Sequence, residues 1–318
     1  LLKFLGIGSV ALFSVVGVVA LTKKGVKSAD PVIKTQEKAS VSASVLPPPR
    51  AIAAAQAPIP SIDRVFQLFT TGPSKLPIVE TVEYSSSTPW LKGRPAWLSD
   101  YAAYYGTSKH FIARSLTNSL DYFAQKVFPG NRFNVFKRDK KIEFHLVVDV
   151  SCLQMAFYYL DLDTHERVLL KVYSVGLGRV NPNKPSHIET PLGTYQLGDK
   201  VAVYKPGVIG FFHDKKTEMI QVFGSRWIPF GEEIEGCSEP AKGYGLHGAP
   251  WRADHATGNL IEVKDGIGKY DTDGSIELVA KDIEELYAII VTKPTFIHIG
   301  KSFQEITLPG VEVATPSR

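Results

Sequence analysis

Tyr244-Gly245-Leu246-His247-Gly248-Ala249-Pro250-Trp251 and Thr272-Asp273-Gly274-Ser275-Ile276-Glu277-Leu278 are the two stretches whose reading decides the fold. The first offers an imidazole beside a glycine. The second offers a hydroxyl behind a glycine. A histidine and a serine become a base and a nucleophile when a fold brings them together. Here 28 positions (275 − 247) separate them, with Gly258, Gly266 and Gly268 in between, so a hairpin or loop has to absorb the interval.

Upstream of these stretches the pattern is that of strands. Phe144 to Val150, Gln154 to Leu160 and Val168 to Val175 are apolar runs of strand length, rich in Val, Tyr and Phe. They predict an antiparallel sheet, with Asp161 to Glu166 as a polar turn and Gly176-Leu177-Gly178 ending the third strand. Downstream, Ile283, Leu286, Tyr287 and Ile290 fall at i, i+3, i+4 and i+7. That spacing predicts a helix with one apolar face and with Lys281, Asp282, Glu284 and Glu285 toward water. Pro294 ends it, and Thr295 to Ile299 reads as a closing strand.

Two further segments narrow the choice. Thr190-Pro191-Leu192-Gly193-Thr194-Tyr195 and Phe223-Gly224-Ser225-Arg226-Trp227-Ile228-Pro229-Phe230 precede the opening pair in the chain. In this order the four segments resemble the YkuD-type L,D-transpeptidase catalytic domain, over about residues 141 to 300. The resemblance implies a β-rich catalytic fold and acyl transfer on peptidoglycan stem peptides, with cleavage after the third residue and transfer to a second stem. In that family a cysteine attacks, an upstream histidine takes its proton, a neighbouring carbonyl fixes the tautomer, and backbone N–H groups cradle the oxyanion. Carried over, His247 is the base, Gly248 supplies the orienting carbonyl, Ser275 stands at the nucleophile position, and the donors are the N–H groups of Gly274 and Ser275. Arg226, Trp227, Trp251, Asp273 and Glu277 are the expected substrate-binding residues.

The site departs from the family pattern. Ser275 replaces the cysteine, and a hydroxyl must lose its proton during attack, whereas a thiol reacts as thiolate. Asp273 replaces the histidine before the glycine and sets a carboxylate near the developing oxyanion. Glu277 replaces an Arg or Asn and reverses the local charge. The interval from His247 to Ser275 is longer than usual.

No cofactor or metal is implied. Asp271-Thr272-Asp273-Gly274 resembles only the start of a calcium loop, and no C-x-x-C spacing exists. Cys152 and Cys237 are either one disulfide or two unlinked thiols; Cys237, ten positions before His247, is a remote alternative nucleophile. His255 and His298 read as surface or sheet residues.

The 318 residues, 44% hydrophobic and 11% aromatic, are enough for a substantial core and a second domain. Phe4 to Thr22 is an apolar stretch flanked by Lys3 and by Lys23, Lys24 and Lys27, so residues 1–27 read as a membrane anchor or signal segment, an uncleaved anchor being favoured. Residues 28–61, with Pro47-Pro48-Pro49 and Ala51 to Ala57, have linker composition. In 62–140, Gly106 to Leu116 fits a short helix, Ser119 to Val127 a second, and Phe128-Pro129-Gly130 a turn into a strand. That order resembles a LysM repeat, which implies glycan binding; an unrelated helix-turn module is the alternative. Residues 141–305 are the YkuD-type domain and 306–318 a tail.

The expected fold class is therefore mainly β, with a C-terminal helix, behind a small α/β LysM-like module and an N-terminal transmembrane helix. Residues 1–60 carry seven Lys/Arg against two Asp/Glu, which leaves 29 (36 − 7) against 30 (32 − 2) for the rest. A near-neutral globular part argues against nucleic acid as partner. The expected partners are stem peptides, glycan strands, and a membrane through residues 4–22. The expected location is the cell envelope, anchored in the inner membrane with the globular part in the periplasm or outside the membrane. Three functions stay open: an L,D-transpeptidase-family protein with a Cys-to-Ser site, a non-catalytic peptidoglycan-binding or scaffold protein, and a Ser-His amidase or carboxypeptidase.

Overall fold

The computed structural model describes residues 59, 61–117, 126–183, 188–199, 201–254 and 256–313. The expected anchor 4–22, nearly all of the linker, most of the helix at 119–127, His255 and the last residues of the tail lie outside them. Among the described residues no helix is long and apolar enough to cross a membrane. Both cysteines are free thiols.

Behind a single helical turn, α1 (Phe66–Phe69), the chain runs β1 (Val79–Glu83), α2 (Leu98–Tyr105), α3 (Lys109–Thr117) and β2 (Arg132–Phe136). β1 and β2 pair antiparallel. Gly106 closes α2 in the left-handed region that favours glycine, with φ +56°, and the Phe111 N–H donates to Ser108 Oγ at 2.9 Å to cap α3. Ser108 Oγ in turn donates to the Ala288 carbonyl at 2.6 Å. Phe111, Phe136, Phe144 and Phe157 pack in sequence through the core as tilted ring pairs, with centroids 4.7, 5.9 and 5.3 Å apart. The α/β module and the β domain thus share one apolar interior within the compact unit Pro49–Arg318.

The β domain is built from β3 (Ile142–Asp149), β4 (Gln154–Asp161), β5 (Glu166–Ser174), β6 (Leu177–Gly178), β7 (Gly193–Leu197), β8 (Ala202–Val203), β9 (Ile209–Phe212) and β10 (Lys215–Glu218). A short α4 (Ile220–Phe223) leads into β11 (Arg226–Glu235), β12 (Gly245–Gly248), β13 (Trp251–Ala253), β14 (Leu260–Glu262), β15 (Tyr270–Thr272) and β16 (Ile276–Leu278). α5 (Ala280–Ile290), β17 (Thr295–Gly300) and β18 (Val311–Glu312) complete the chain. The large sheet runs β16-β12-β11-β7-β17-β3-β4-β5-β18, with β8 also on β11. The expected antiparallel sheet is present as β3-β4-β5. It continues through β17, which pairs parallel with β3, so the whole sheet is mixed.

β3 to β5 are apolar without alternation because both faces are covered. Phe144, Leu146 and Val148 enter the main core, while Val147 packs on the opposite face with Ala156, Tyr158 and Leu169. His298 of β17 is a sheet residue, its Nε2 within 2.9 Å of His145 Nδ1.

The C-terminal helix forms where its periodicity placed it, and Ile283, Leu286, Tyr287 and Ile290 are buried. Its acidic face departs from expectation. Glu285 is buried, because Lys171 Nζ donates to it at 2.6 Å and to Asp282 at 3.0 Å. Glu284 pairs with Arg226 at 2.9 Å. Lys281 is exposed as expected, while the three acids of this face meet two basic residues of the sheet, with Asp282 and Glu284 half-buried and Glu285 buried.

Candidate active site

β12 and β16 lie side by side and parallel, with Leu246 opposite Ile276, His247 opposite Glu277 and Gly248 opposite Leu278. The long interval does not disturb this register. It is taken up by the β13–β14 hairpin and by β15, which pairs with β6. Alternation then sends Leu246, Ile276 and Leu278 into the core and leaves His247 and Glu277 on the other face. α5 starts directly after β16 and packs beneath β12, and Gly248 leaves room for Ile283 there.

That face lines a cavity of about 670 Å³, bounded by Arg179, Phe212, His213, Phe223, Trp227, His247, Arg252, Asp271, Thr272, Asp273, Ser275 and Glu277 among others. His247 is buried, and its Nδ1 lies 3.0 Å from the Gly248 carbonyl. Nδ1–H donates to that acceptor, so Nε2 keeps its lone pair. Trp227, its cross-strand partner on β11, stacks at 6.2 Å and 25°, and Phe223 meets the ring edgewise at 5.7 Å. Burial pulls the imidazole down to about 4, against the opposing effect of the Gly248 bond. The ring is neutral at physiological pH and free to accept a proton, though weakly basic.

The neighbouring segment is held by its own turn and by the residue just before β6. Thr272 Oγ1 donates to the Ser275 carbonyl at 2.6 Å, and the Gly274 N–H donates back to Thr272 Oγ1 at 3.3 Å. Gly274 has φ +104°, and a Cβ there would lie 2.6 Å from both the Glu189 carbonyl oxygen and the Tyr244 ring. Glu277 exchanges backbone hydrogen bonds of 2.9 Å with Gly176. Ser275 is buried at the cavity wall.

The two acids of this segment differ. Asp273 is ion-paired with Arg179 and lies 3.3 Å from His213 Nε2, so its charge is already met at the cavity mouth. That moderates the conflict with an oxyanion expected from sequence. Glu277 is 6% exposed, and its Oε1 has no hydrogen-bond partner among the described residues. Burial, reinforced by the charges of Asp271 and Glu262, pushes its carboxyl up to about 7.

The structure brings His247, Trp227, Asp273, Ser275 and Glu277 to one cavity. Arg226 is not among them. Strand alternation turns it to the opposite face, where it pairs with Glu284 and lies 4.5 Å from the Tyr287 ring. Trp251 lies outside the lining at the start of β13, with Nε1 buried and without a partner among the described residues. Cys237 is also elsewhere, its thiol donating to the Thr194 carbonyl at 3.1 Å.

Sequence reasoning missed Arg179, Phe212 and His213, and it quoted Phe223 in a motif without assigning it to the cavity. The sequence reading ends the third strand at Gly176-Leu177-Gly178 and gives the following Arg179 no role, although a cation directly after a strand-ending glycine is a visible signal.

Among known proteins, residues 143–299 match the family model YkuD, the L,D-transpeptidase catalytic domain. No curated protein matches the chain. Bd1075 from Bdellovibrio bacteriovorus is a similar solved structure, with 13% identity and a TM-score of 0.32, covering 50% of this chain and 48% of that one. Another is Pgp2, a helical cell shape determining protein from Campylobacter jejuni, with 15% identity, a TM-score of 0.31, and coverage of 54% and 51%. The chain spans about half the length of each.

Proposed function

Residues 143–299 belong to the YkuD family of L,D-transpeptidase catalytic domains, and from that premise we propose that the chain engages peptidoglycan stem peptides in the His247 cavity, with transpeptidation through Ser275 weak or absent. The observation that carries this reading is the Gly248 carbonyl on His247 Nδ1, which leaves Nε2 as the base in the cavity that Ser275 also lines. In the forward step the Ser275 hydroxyl proton passes to Nε2 while Oγ bonds to the peptide carbonyl carbon. Collapse breaks the C–N bond, and His247 returns the proton to the leaving amine. An acceptor amine then displaces Ser275 from the ester; water in its place gives hydrolysis.

Two features slow this sequence. A hydroxyl is far less acidic than a thiol, and a buried imidazole near 4 is a weak base for it. These features also support a second reading, a peptidoglycan-binding or scaffold protein on the same fold. Incubating the full chain with disaccharide tetrapeptides and analysing products by mass spectrometry separates the two. Dimers that vanish in His247→Ala establish the enzyme, and hydrolysed tripeptide without dimer marks a hydrolase. Binding that persists unchanged in Ser275→Ala, with no product from any variant, establishes the scaffold.

The same reading places the domain in the cell envelope, with residues 4–22 as anchor and 62–140 as a LysM-like glycan-binding module. Support for the module is its β1-α2-α3-β2 order with the two strands paired. A cytoplasmic result in a labelled-cysteine accessibility assay would overturn this location.

A further inference from the structure

The transfer step leaves one proton without a base to take it. An alkylamine that resolves the Ser275 ester arrives as an ammonium ion at neutral pH, so it must lose one proton before it attacks and a second as the new bond forms. His247 carries the second to Ser275 Oγ. The first needs another acceptor, since the buried His247 ring is a weak base for an ammonium.

A second imidazole stands at the cavity mouth. His213 lines the same cavity as His247 and Ser275, its side chain is 65% exposed, and its Nε2 lies 3.3 Å from Asp273 Oδ2. Arg179 holds the other oxygen of Asp273. Asp273 is two positions from Ser275, so their Cα atoms are at most about 7 Å apart. The carboxylate orients the ring, and with Nε2 turned toward it, Nδ1 is the nitrogen left to take a proton.

The hairpin fixes this imidazole in place. β9 and β10 are joined by the two residues His213 and Asp214, both in the left-handed region at φ +48° and +61°. Glycine or asparagine makes such a turn at less cost, so a histidine at the tip spends backbone strain on its position. Phe212 packs on the His213 ring at 4.1 Å and meets Phe223 edgewise at 5.4 Å, and Phe223 in turn walls His247.

We propose that His213 is the acceptor-side base of the transfer step, with Asp273 as its positioning residue. This rests on the acyl-transfer reading above. The acceptor R–NH3+ gives one proton to His213 and becomes R–NH2. Its nitrogen bonds to the ester carbonyl carbon, the second proton passes through His247 Nε2 to Ser275 Oγ, and the ester C–O bond breaks. His213 releases its proton to water, to which it is open.

The test acylates the full chain with N-acetyl-alanine p-nitrophenyl ester, whose leaving group needs little help, and follows transfer to two amines by mass spectrometry. Methylamine is an ammonium ion at neutral pH, whereas hydroxylamine is already neutral and has no first proton to lose. The rate of transfer to methylamine divided by that to hydroxylamine is expected to fall about 100-fold in His213→Gln, and by less in Asp273→Asn. A general disturbance of the cavity would slow both amines alike and leave the ratio where it was. The same comparison is made in the Ser275→Cys background, where acylation is faster.

If the ratio is unchanged in His213→Gln, the acceptor-side base is overturned and the acyl-transfer reading stands. If the ratio falls but a disaccharide tetrapeptide neither binds nor reacts, the base stands and the stem-peptide reading falls. If neither the wild type nor Ser275→Cys forms an adduct with the ester, both the base and the acyl-transfer reading fall.

Discussion

β12 and the segment 271–277 line one cavity side by side, and they are built on different principles. On β12 the chemistry is fixed by backbone and packing: the carbonyl beside His247 sets its tautomer, and Trp227 and Phe223 wall its ring. On the other side the backbone is equally constrained, by Gly176 and by the turn through Thr272, but the chemistry resides in exchangeable side chains. Such a frame holds its shape while Ser275, Asp273 and Glu277 change identity. On the proposed reading, backbone and packing set the His247 side of the site, whereas the side chains at 273, 275 and 277 hang on a strand whose hydrogen bonds do not depend on them.

The sharpest way to break this contrast is to remove the base. In a Ser275→Cys background, His247→Ala should slow acylation about 10³-fold, measured by single-turnover mass spectrometry. A loss below tenfold would mean that β12 no longer carries the base. Next in size is Gly274→Ala, which forces a Cβ into the Glu189 carbonyl and the Tyr244 ring at φ +104°. It should cost about 3 kcal/mol in a urea melt. A neutral result would show that the turn is not the rigid frame described.

Glu277→Gln probes the divergent side by pH. The carboxyl is raised from 4.5 to about 7, so between those values the folded protein holds a proton that the unfolded chain has released. Wild-type stability therefore falls as pH rises through that window, and the glutamine variant is spared. Its melting temperature should match wild type below about pH 4.5 and exceed it by roughly 3 °C above about pH 7. A gain at low pH instead would contradict the buried carboxyl. The smallest effect belongs to Asp273→Asn, which removes a half-exposed ion pair and should change stability by less than about 1 kcal/mol.

Local periodicity made much of this fold legible. The apolar runs at 144–150, 154–160 and 168–175 and the i, i+3, i+4, i+7 face of α5 are short-range signals that tertiary packing did not override. The burial of Glu285 was hidden, because its partner Lys171 lies 114 positions away and a charged residue alone reads as solvent-facing. The same limit applied at the site. His247 and Gly248 could be read from adjacent residues, but the pairing of Asp273 with Arg179 spans 94 positions. Arg226 and Trp227 illustrate a different failure: adjacent residues in a strand point to opposite faces, so one motif supplied a cavity wall and a structural ion pair. The Glu277 environment depends on Gly176 and Gly266, neither of which announces a neighbour by its type.

Intact-mass analysis of the Ser275→Cys protein after incubation with a tetrapeptide substrate tests most directly whether the fold has kept a working base beside an altered nucleophile. The expected result is an acyl adduct on the cysteine variant, at least about 100-fold faster than on wild type, that disappears when His247→Ala is added. A cysteine variant that binds the peptide but never acylates, or that acylates equally well without His247, would contradict it.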